Sequence, residues 1–337
     1  MKIFLTGATG YLGTRLLSAL KSEGHGLRVL VRDPERLPPE MRDDLEVVVG
    51  DLAGDPDPVF FDGVHALIHA GAMVRTWHGD RSLFDRVNVQ GYRSLLEVAL
   101  KAGVPKILHT SSFIALGPSP DGRPMDEETP HWGGPPMNDY ERTKRAAEEL
   151  TREFVDRGAP VISLYPAVVY GPGPCTDGNL LGKLAYWIRI GRFPGLLGSG
   201  RQRWTLAFID DVVRGHLLAL QKGRPGDRFI LGGPEVVLSD LVGRLQELLE
   251  RPRGVRTLPI WLGKTIGGLQ VLRARLGGPV PDLTPGVAEV YRHDWIYSSG
   301  RARETLGYAS TPLETALETT ARWVSGLQGW GDRGGAT

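Results

Sequence analysis

Tyr140 and Lys144 are the two residues whose types and spacing say most about chemistry. Residues four apart lie on one face of a helix, so the Lys144 ammonium can sit beside the Tyr140 hydroxyl and favour its phenolate. A tyrosine with its ordinary pKa of about 10 is otherwise a poor proton donor and acceptor at neutral pH. Lysine is also scarce, because arginine supplies most of the 40 basic side chains. The pair therefore predicts acid–base catalysis, against the alternative of an exposed tyrosine and a solvated lysine.

A serine after a predicted strand is the second candidate group. Residues 107–110 form an apolar run, and Ser111 and Ser112 follow it directly. Ligands of parallel sheets bind at the carboxyl ends of the strands, so a hydroxyl there can reach the same reacting oxygen as Tyr140. Serines in this position also occur as turn or cap residues, and that interpretation stays open for the serines taken alone.

Three glycines lie between the first predicted strand, residues 2–6, and the first predicted helix. Gly7, Gly10 and Gly13 allow a tight turn, a close approach to the backbone, and a helix N-terminus whose free N–H groups face an anion. The chain has 45 glycines, so the spacing by itself also fits an ordinary glycine-rich turn. The position between strand and helix favours binding of a dinucleotide pyrophosphate.

The end of the second predicted strand, residues 27–31, bears on which dinucleotide is bound. Arg32 can form charge-assisted bonds to the 2′-phosphate of NADP, whereas an acidic side chain there would hold the ribose hydroxyls of NAD. We therefore expect NADP rather than NAD. The alternative is that Arg32 is a solvated charge and Asp33 takes the ribose. After the third strand, Asp51 either approaches the adenine amine or caps the next turn.

These residues need a scaffold of alternating strands and helices. Strand-like apolar runs are found at residues 2–6, 27–31, 45–49, 66–70, 107–110 and 161–165, and helical stretches at 82–102 and 140–157. Such alternation implies parallel strands joined by right-handed crossovers. The predicted fold is α/β, with a Rossmann-type doubly wound parallel sheet.

The composition changes after Gly171. Residues 171–204 are rich in Gly and Pro, and residues 252–285 are basic and irregular, with a helix-like segment near 262–276. Between them, a helix at 208–222 and a strand at 229–233 are expected to rejoin the sheet. We predict an NADP-binding domain over residues 1–170, to which 205–235 return, and a smaller, mostly helical substrate lobe over 171–204 and 236–330. The tail after Leu327 is expected to be frayed.

Composition disfavours several classes of function. The net charge of +1 gives no electrostatic support for binding nucleic acid or an anionic membrane, and no apolar run is long enough to predict a membrane span. The eight histidines form no pattern that predicts a metal site. A chain with one cysteine, Cys175, forms no internal disulfide, and its first residues do not resemble a signal peptide, so we expect a cytoplasmic protein.

Taken in order along the chain, these motifs resemble the extended short-chain dehydrogenase/reductase superfamily, the NAD(P)-dependent epimerase/dehydratase group, over roughly residues 1–325. The matching segments are residues 6–13, 50–52, 69–72, 88–91, 110–112, 140–144, 166–173 and 208–212. The resemblance implies that Ser112, five residues before Gly117, is the catalytic hydroxyl. It also implies that Tyr140 is the acid/base and that Lys144 holds the nicotinamide ribose as well.

The resemblance extends to the cofactor contacts. Besides the three glycines, Arg32, Asp51, Tyr140 and Lys144, it implies contacts from Thr9, Tyr11, Leu12, Leu52, Ala70, Gly71, Ala72, Pro166, Ala167 and Val169. One position departs from the family pattern, since Tyr165 stands where an arginine usually precedes Pro166.

Residues 31–34, 111–118 and 229–233 resemble the dihydroflavonol reductase-like branch, which commonly uses NADPH to reduce a carbonyl. The main hypothesis is therefore an NADP-dependent oxidoreductase that reduces a carbonyl of a small-molecule substrate. The family resemblance also suggests a homodimer, formed by the helices at residues 82–102 and 140–157.

Two alternatives come from other features. Residues 198–204 resemble the stretch where nucleotide-sugar enzymes hold a diphosphate, with Arg203 as the clamp, which would indicate an epimerase or dehydratase with bound NAD(P). Arg75 and Trp77 follow the fourth strand and either wall the substrate pocket or belong to a surface loop. The third class, a catalytically idle cofactor sensor, is disfavoured because Ser112, Tyr140 and Lys144 are all present.

Overall fold

The centre of the protein is a seven-stranded parallel sheet, in a computed structural model that describes residues 1–330. The strands of the described region are β1 (Lys2–Thr6), β2 (Gly26–Val31), β3 (Leu45–Val49), β4 (Ala66–His69), β5 (Ile107–Thr110), β6 (Val161–Pro166), β7 (Val168–Tyr170), β8 (Leu196–Leu197), β9 (Arg203–Phe208), β10 (Arg228–Leu231), β11 (Glu235–Val237) and β12 (Thr257–Leu258). The large sheet has the order β10-β6-β5-β4-β1-β2-β3, with every neighbouring pair parallel. The strand order reverses between β1 and β4, which is where doubly wound sheets bind ligands.

Helices cover both faces of this sheet. The α-helices of the described region are α1 (Tyr11–Ser22), α2 (Ser82–Asp85), α3 (Gly91–Lys101), α4 (Asp139–Asp156), α5 (Leu180–Arg189), α6 (Ile209–Lys222), α7 (Leu238–Leu248), α8 (Ile260–Arg275), α9 (Pro285–Val290), α10 (Gly300–Leu306) and α11 (Leu313–Ser325). Buried side chains of α1, α6 and α10 pack on one face of the sheet, and those of α3 and α4 pack on the other. The predicted α/β doubly wound fold is thus confirmed.

The predicted helices and strands lie close to the observed ones. A π-helical turn, Arg86–Gln90, joins α2 to α3, so the expected helix at 82–102 is present with one irregular turn. The expected helix at 140–157 is α4. The strand expected at 229–233 is β10, which pairs parallel with β6 and extends the large sheet.

Residues 205–235 contribute to two sheets. The helix expected at 208–222 is α6, and β10 joins the large sheet, whereas β9 pairs with β7 and β11 in a separate three-stranded sheet. β7 follows β6 after the single residue Ala167 and pairs in parallel with β9, so it belongs to this smaller sheet. The division of the chain into two domains stays a prediction.

The remaining helices form a lobe around a second core. The largest fully buried side chains there are Trp204 and Trp295, and α5, α7 and α11 pack around the same cluster. Within residues 1–330 no helix is long and apolar enough to cross a membrane. Most of the tail expected to be frayed, residues 331–337, lies outside the described residues.

Candidate active site

The glycine loop after β1 is packed so closely that side chains do not fit. Gly7 has φ +78°, and a Cβ there would lie 2.6 Å from the Gly71 nitrogen, at the start of the loop after β4. A Cβ on Gly13 would lie 1.8 Å from the Gly7 carbonyl oxygen. Gly10 donates its N–H to that same oxygen at 2.9 Å, which closes the turn. The loop therefore exposes bare backbone at the point where the strand order reverses.

The N-terminus of α1 is open to an anion. Gly10 is its N-cap and supplies no capping side chain, so the first N–H groups of the helix have no side-chain partner. The Tyr11 hydroxyl points elsewhere and donates to the Gly171 carbonyl at 2.9 Å. Thr9 and Leu12 are partly buried beside the turn. These features fit a dinucleotide pyrophosphate, held by the amides of the first turn.

Arg32 and Asp51 meet at the far end of the same sheet edge. Arg32 is exposed, and its guanidinium lies 3.9 Å from the Asp51 carboxylate. Asp33 accepts the N–H of Glu35 and so caps its own turn. Asp51 also caps a turn, because it accepts the N–H of Ala53 at 2.9 Å. The cap at Asp51 was one of the two interpretations left open by the sequence, whereas a cap at Asp33 was not predicted.

Beside Asp51 lies a cavity of about 270 Å³ at the ends of β2 and β3. Leu30, Val49, Leu52 and Phe60 line it with apolar surface, and Asp51 supplies a carboxylate at its edge. An apolar slot with one acceptor suits a flat heterocycle that carries an amine, as adenine does. The cavity is consistent with the position predicted for Asp51 and Leu52.

Ser112 and Tyr140 come together at the carboxyl end of β5. The Ser112 Oγ accepts the Ile114 N–H at 3.4 Å, and its side chain is a near neighbour of the Tyr140 side chain. Burial raises the pKa of Tyr140 to about 12, while the neighbouring Ser112 side chain acts to lower it. Ser111 is buried on the same strand end and its Oγ has no hydrogen-bond partner within residues 1–330. The geometry therefore links Ser112, rather than its neighbour, to the tyrosine.

Lys144 is buried one helical turn beyond Tyr140. Its ammonium donates to the Thr110 carbonyl at 3.0 Å, and within the described residues it makes no hydrogen bond to Tyr140. Burial lowers the pKa of Lys144 to about 8, while the Glu148 carboxylate acts in the opposite direction. The ammonium is thus directed to β5, and the expectation that Lys144 favours the Tyr140 phenolate stays a prediction.

The helix that carries both residues begins with a capping motif that the sequence analysis missed. Asn138 accepts the Glu141 N–H at 2.9 Å, and the Glu141 carboxylate accepts the Met137 N–H at 2.8 Å. The pattern Asn-x-x-Glu is a capping signal that could have been found in the sequence. It fixes the first turn of α4, and therefore the direction of Tyr140.

Asn88 is a second positioning residue and lies in the π-helical turn. Its buried amide accepts the Met73 N–H at 2.7 Å and donates to the Thr143 hydroxyl at 3.0 Å. It thereby ties the loop after β4, which carries Gly71 and Ala72, to the helix of Tyr140. The segment 88–91 was among the family motifs, but no role was assigned to Asn88.

Tyr165 explains the departure from the family pattern before Pro166. Its hydroxyl donates to Glu148 at 2.6 Å and accepts from the Arg228 guanidinium at 3.0 Å. An arginine side chain is therefore present beside Tyr165, but it comes from Arg228 in β10 rather than from the position before Pro166. Pro166 and Ala167 are buried at the carboxyl end of β6, and Val169 is partly buried. They therefore lie at the same edge of the parallel sheet as Ala70 and Gly71, which follow β4.

The three predicted substrate residues are not brought together in one group. Arg75 and Trp77 are partly buried in the loop after β4. Arg203 starts β9, where its guanidinium contacts Glu235 at 3.0 Å and donates to the Gly122 carbonyl. Its positive charge is therefore already balanced inside the lobe, which weakens its case as a phosphate clamp.

Tyr297, which the sequence analysis did not single out, holds the segment after Ser112. Its hydroxyl donates to the carbonyls of Phe113 and Gly117. Together with the ring contact between Phe113 and Trp295, these bonds join the lobe to the segment after Ser112. No group of three or more His, Cys, Asp or Glu side chains within residues 1–330 could hold a metal ion.

Comparison with known proteins agrees with this geometry. Residues 3–232 match the model of the NAD dependent epimerase/dehydratase family. A Synechocystis protein provisionally named a dihydroflavonol 4-reductase is 29% identical over 95% of this chain and 93% of its own length. Sterol demethylase protein B of Methylococcus capsulatus is 31% identical over 96% of this chain and 98% of its own.

A solved structure of MoeE5 in complex with UDP-glucuronic acid and NAD has a TM-score of 0.75, at 23% identity, and the match covers 96% of this chain and 99% of that one. This similarity concerns the fold. The family match covers well over half of the chain, including the glycine loop, Ser112, Tyr140 and Lys144. The chain therefore belongs to the NAD dependent epimerase/dehydratase family, within the extended short-chain dehydrogenase/reductase superfamily, and is an oxidoreductase.

Proposed function

We propose that the protein is an NADP-dependent reductase that acts on a carbonyl of a small-molecule substrate. The observation that carries this proposal is the neighbouring pair Ser112 and Tyr140, placed with buried Lys144 at the strand ends that also carry the glycine loop. A proton donor beside a dinucleotide site is what carbonyl reduction needs.

Each residue of the group has a distinct task in this reaction. NADPH, when bound, supplies a hydride for the carbonyl carbon. Tyr140 protonates the carbonyl oxygen, and its pKa of about 12 ensures that the hydroxyl carries its proton at neutral pH. Ser112 donates a hydrogen bond to the same oxygen. Lys144, with a pKa of about 8, is still mainly an ammonium at neutral pH and can hold the nicotinamide ribose.

The preference for NADP rests on Arg32. Its guanidinium is exposed at the end of β2, and the acidic alternative, Asp33, uses its carboxylate to cap the following turn. An exposed guanidinium at this strand end, with the Asp51 carboxylate only at 3.9 Å, suits a 2′-phosphate better than ribose hydroxyls. A cytoplasmic location and a homodimer formed through α2–α3 and α4 remain part of the proposal, on the grounds given for the sequence.

Replacing Arg32 with Ala is expected to weaken NADPH binding by about 10- to 100-fold and to leave NADH binding nearly unchanged, because a charge-assisted bond to the phosphate is lost. Fluorescence titration with both cofactors measures the effect. Arg36→Ala, an exposed arginine on the next turn, is the matched control. Equal affinity of the native protein for NADPH and NADH would refute the role proposed for Arg32.

The second candidate is a nucleotide-sugar epimerase or dehydratase with bound NAD(P). The family name and the segment 198–204 favour it, whereas the ion pair of Arg203 with Glu235 does not. A sugar enzyme of this kind returns its cofactor to the starting state within one cycle, so it needs no supply of NADPH.

The two candidates are separated by following free NADPH in the presence of carbonyl compounds. Stoichiometric oxidation of NADPH supports the reductase. Activity without added cofactor, together with tight UDP binding by calorimetry, would replace it with the sugar enzyme. Mass spectrometry of ligands retained through native purification identifies the cofactor independently. A protein that binds NADPH and oxidises none of it in any assay would be a cofactor sensor.

A further inference from the structure

Helix α8 carries an unusual set of exposed apolar side chains. Trp261, Leu269, Leu272 and Leu276 are 67%, 63%, 54% and 81% exposed. Helical periodicity places all four on one side of α8, where they form a continuous row that we call the exposed stripe. Large contiguous apolar surfaces of this kind usually mark an interaction site.

The opposite side of α8 is already occupied by the protein itself. Gly263 and Gly267 are buried there, and a Cβ on Gly267 would lie 2.7 Å from the Thr284 backbone just before α9. A Cβ on Gly263 would similarly lie 2.6 Å from Leu197. Two glycines therefore let α8 dock closely through its inner side, which fixes the exposed stripe toward the outside.

Positive charge surrounds the stripe. Residues 251–281 contain six basic residues and no acidic one, although the whole chain has a net charge of only +1. On the helix, Arg273 and Arg275 lie on the two flanks of the stripe, and both are exposed. Within residues 1–330 neither forms an ion pair, whereas Arg142 and Arg244 are each paired with carboxylates. The local charge is thus available to an anionic partner.

We propose that α8 docks the protein on the surface of an anionic phospholipid bilayer, with the exposed stripe in the interface and Arg273 and Arg275 among the headgroups. A tryptophan and leucines flanked by arginines are the composition of helices that lie in a membrane interface. A second copy of the chain is a poorer occupant, because a two-fold contact through α8 would place like charges opposite each other.

The docking surface lies close to the candidate active site. α8 packs on α9, and a Cβ on Gly286 in α9 would lie 2.2 Å from the Met137 carbonyl, directly before the helix of Tyr140. Two packed layers therefore separate the proposed membrane contact from the tyrosine. The proposal does not depend on which reaction the site performs.

Sedimentation of the full chain with vesicles tests the proposal. We expect binding to phosphatidylcholine vesicles that contain about one third phosphatidylglycerol, weaker binding to pure phosphatidylcholine, and a steep loss of binding with added salt. Leu272→Glu with Leu276→Glu is expected to lower the partition coefficient by at least about tenfold. Val59→Glu, at a side chain that is 55% exposed elsewhere on the surface, should have no effect.

The charge contribution needs its own variants. Arg273→Gln with Arg275→Gln should reduce binding to the anionic vesicles by about tenfold or more, whereas Arg224→Gln with Arg303→Gln, two other exposed arginines, should not. Circular dichroism of each variant verifies that folding is intact. Failure of the native chain to bind the anionic vesicles overturns the proposal. Concentration-dependent dimers that the double leucine variant dissociates would assign the stripe to a second copy instead.

Discussion

Replacing Tyr140 with Phe is expected to reduce turnover by about 10²- to 10⁴-fold, which is the usual contribution of a general acid. The substitution removes only the hydroxyl near Ser112 and keeps the ring that packs against the lobe. Because the glycine loop and α1 are untouched, NADPH affinity should stay within about twofold. A single-turnover assay of hydride transfer and a fluorescence titration of NADPH measure the two effects separately.

Tyr186→Phe is the matched control for this variant. Tyr186 lies on α5 with its ring tilted against that of Trp330, and its hydroxyl makes no hydrogen bond within the described residues. Its loss should leave turnover unchanged. Full activity of the Tyr140→Phe protein would refute the proposed mechanism, because the variant lacks the hydroxyl to which the mechanism assigns the proton transfer.

The spacing of Tyr140 and Lys144 predicted one helical face because helical periodicity is a local property of the chain. The partner of Lys144 was not predictable in the same way. Its ammonium bonds to the Thr110 carbonyl, 34 residues away, and that contact exists only because α4 packs on the end of β5. Sequence reasoning could therefore place the two residues on one helical face but could not show the bond that the lysine makes to β5.

The ion pairs of Arg203 were likewise not predictable from the sequence. A sequence shows that a guanidinium is present but not that Glu235 and Asp294 approach it from other parts of the chain. Net charge is also a poor guide to local charge, since in the basic segment around α8 Lys264 pairs with Glu289 whereas Arg273 and Arg275 form no ion pair within residues 1–330. Both cases arise because long-range contacts, rather than composition, determine which charges are neutralised.

Gly13→Ala is expected to weaken NADPH binding by at least about 100-fold. The added Cβ would stand 1.8 Å from the Gly7 carbonyl oxygen, so either the loop or the first turn of α1 must move by more than an ångström. The amides that face the pyrophosphate move with it, and their hydrogen bonds to the anion are lost together. The buried leucines of α1, Leu16, Leu17 and Leu20, still anchor the helix to the sheet, so the fold should survive.

Gly243→Ala is the appropriate comparison, since Gly243 also lies within a helix but a Cβ there would meet its nearest neighbour, Val255, at an ordinary 3.8 Å. That variant should bind NADPH normally and be more stable by about 0.5–1 kcal/mol, because alanine favours helix. Isothermal calorimetry and thermal unfolding distinguish the two substitutions. If Gly13→Ala unfolds cooperatively yet binds NADPH with native affinity, the loop does not hold the pyrophosphate, and the close packing of Gly7, Gly13 and Gly71 would serve only to join the first helix to the sheet.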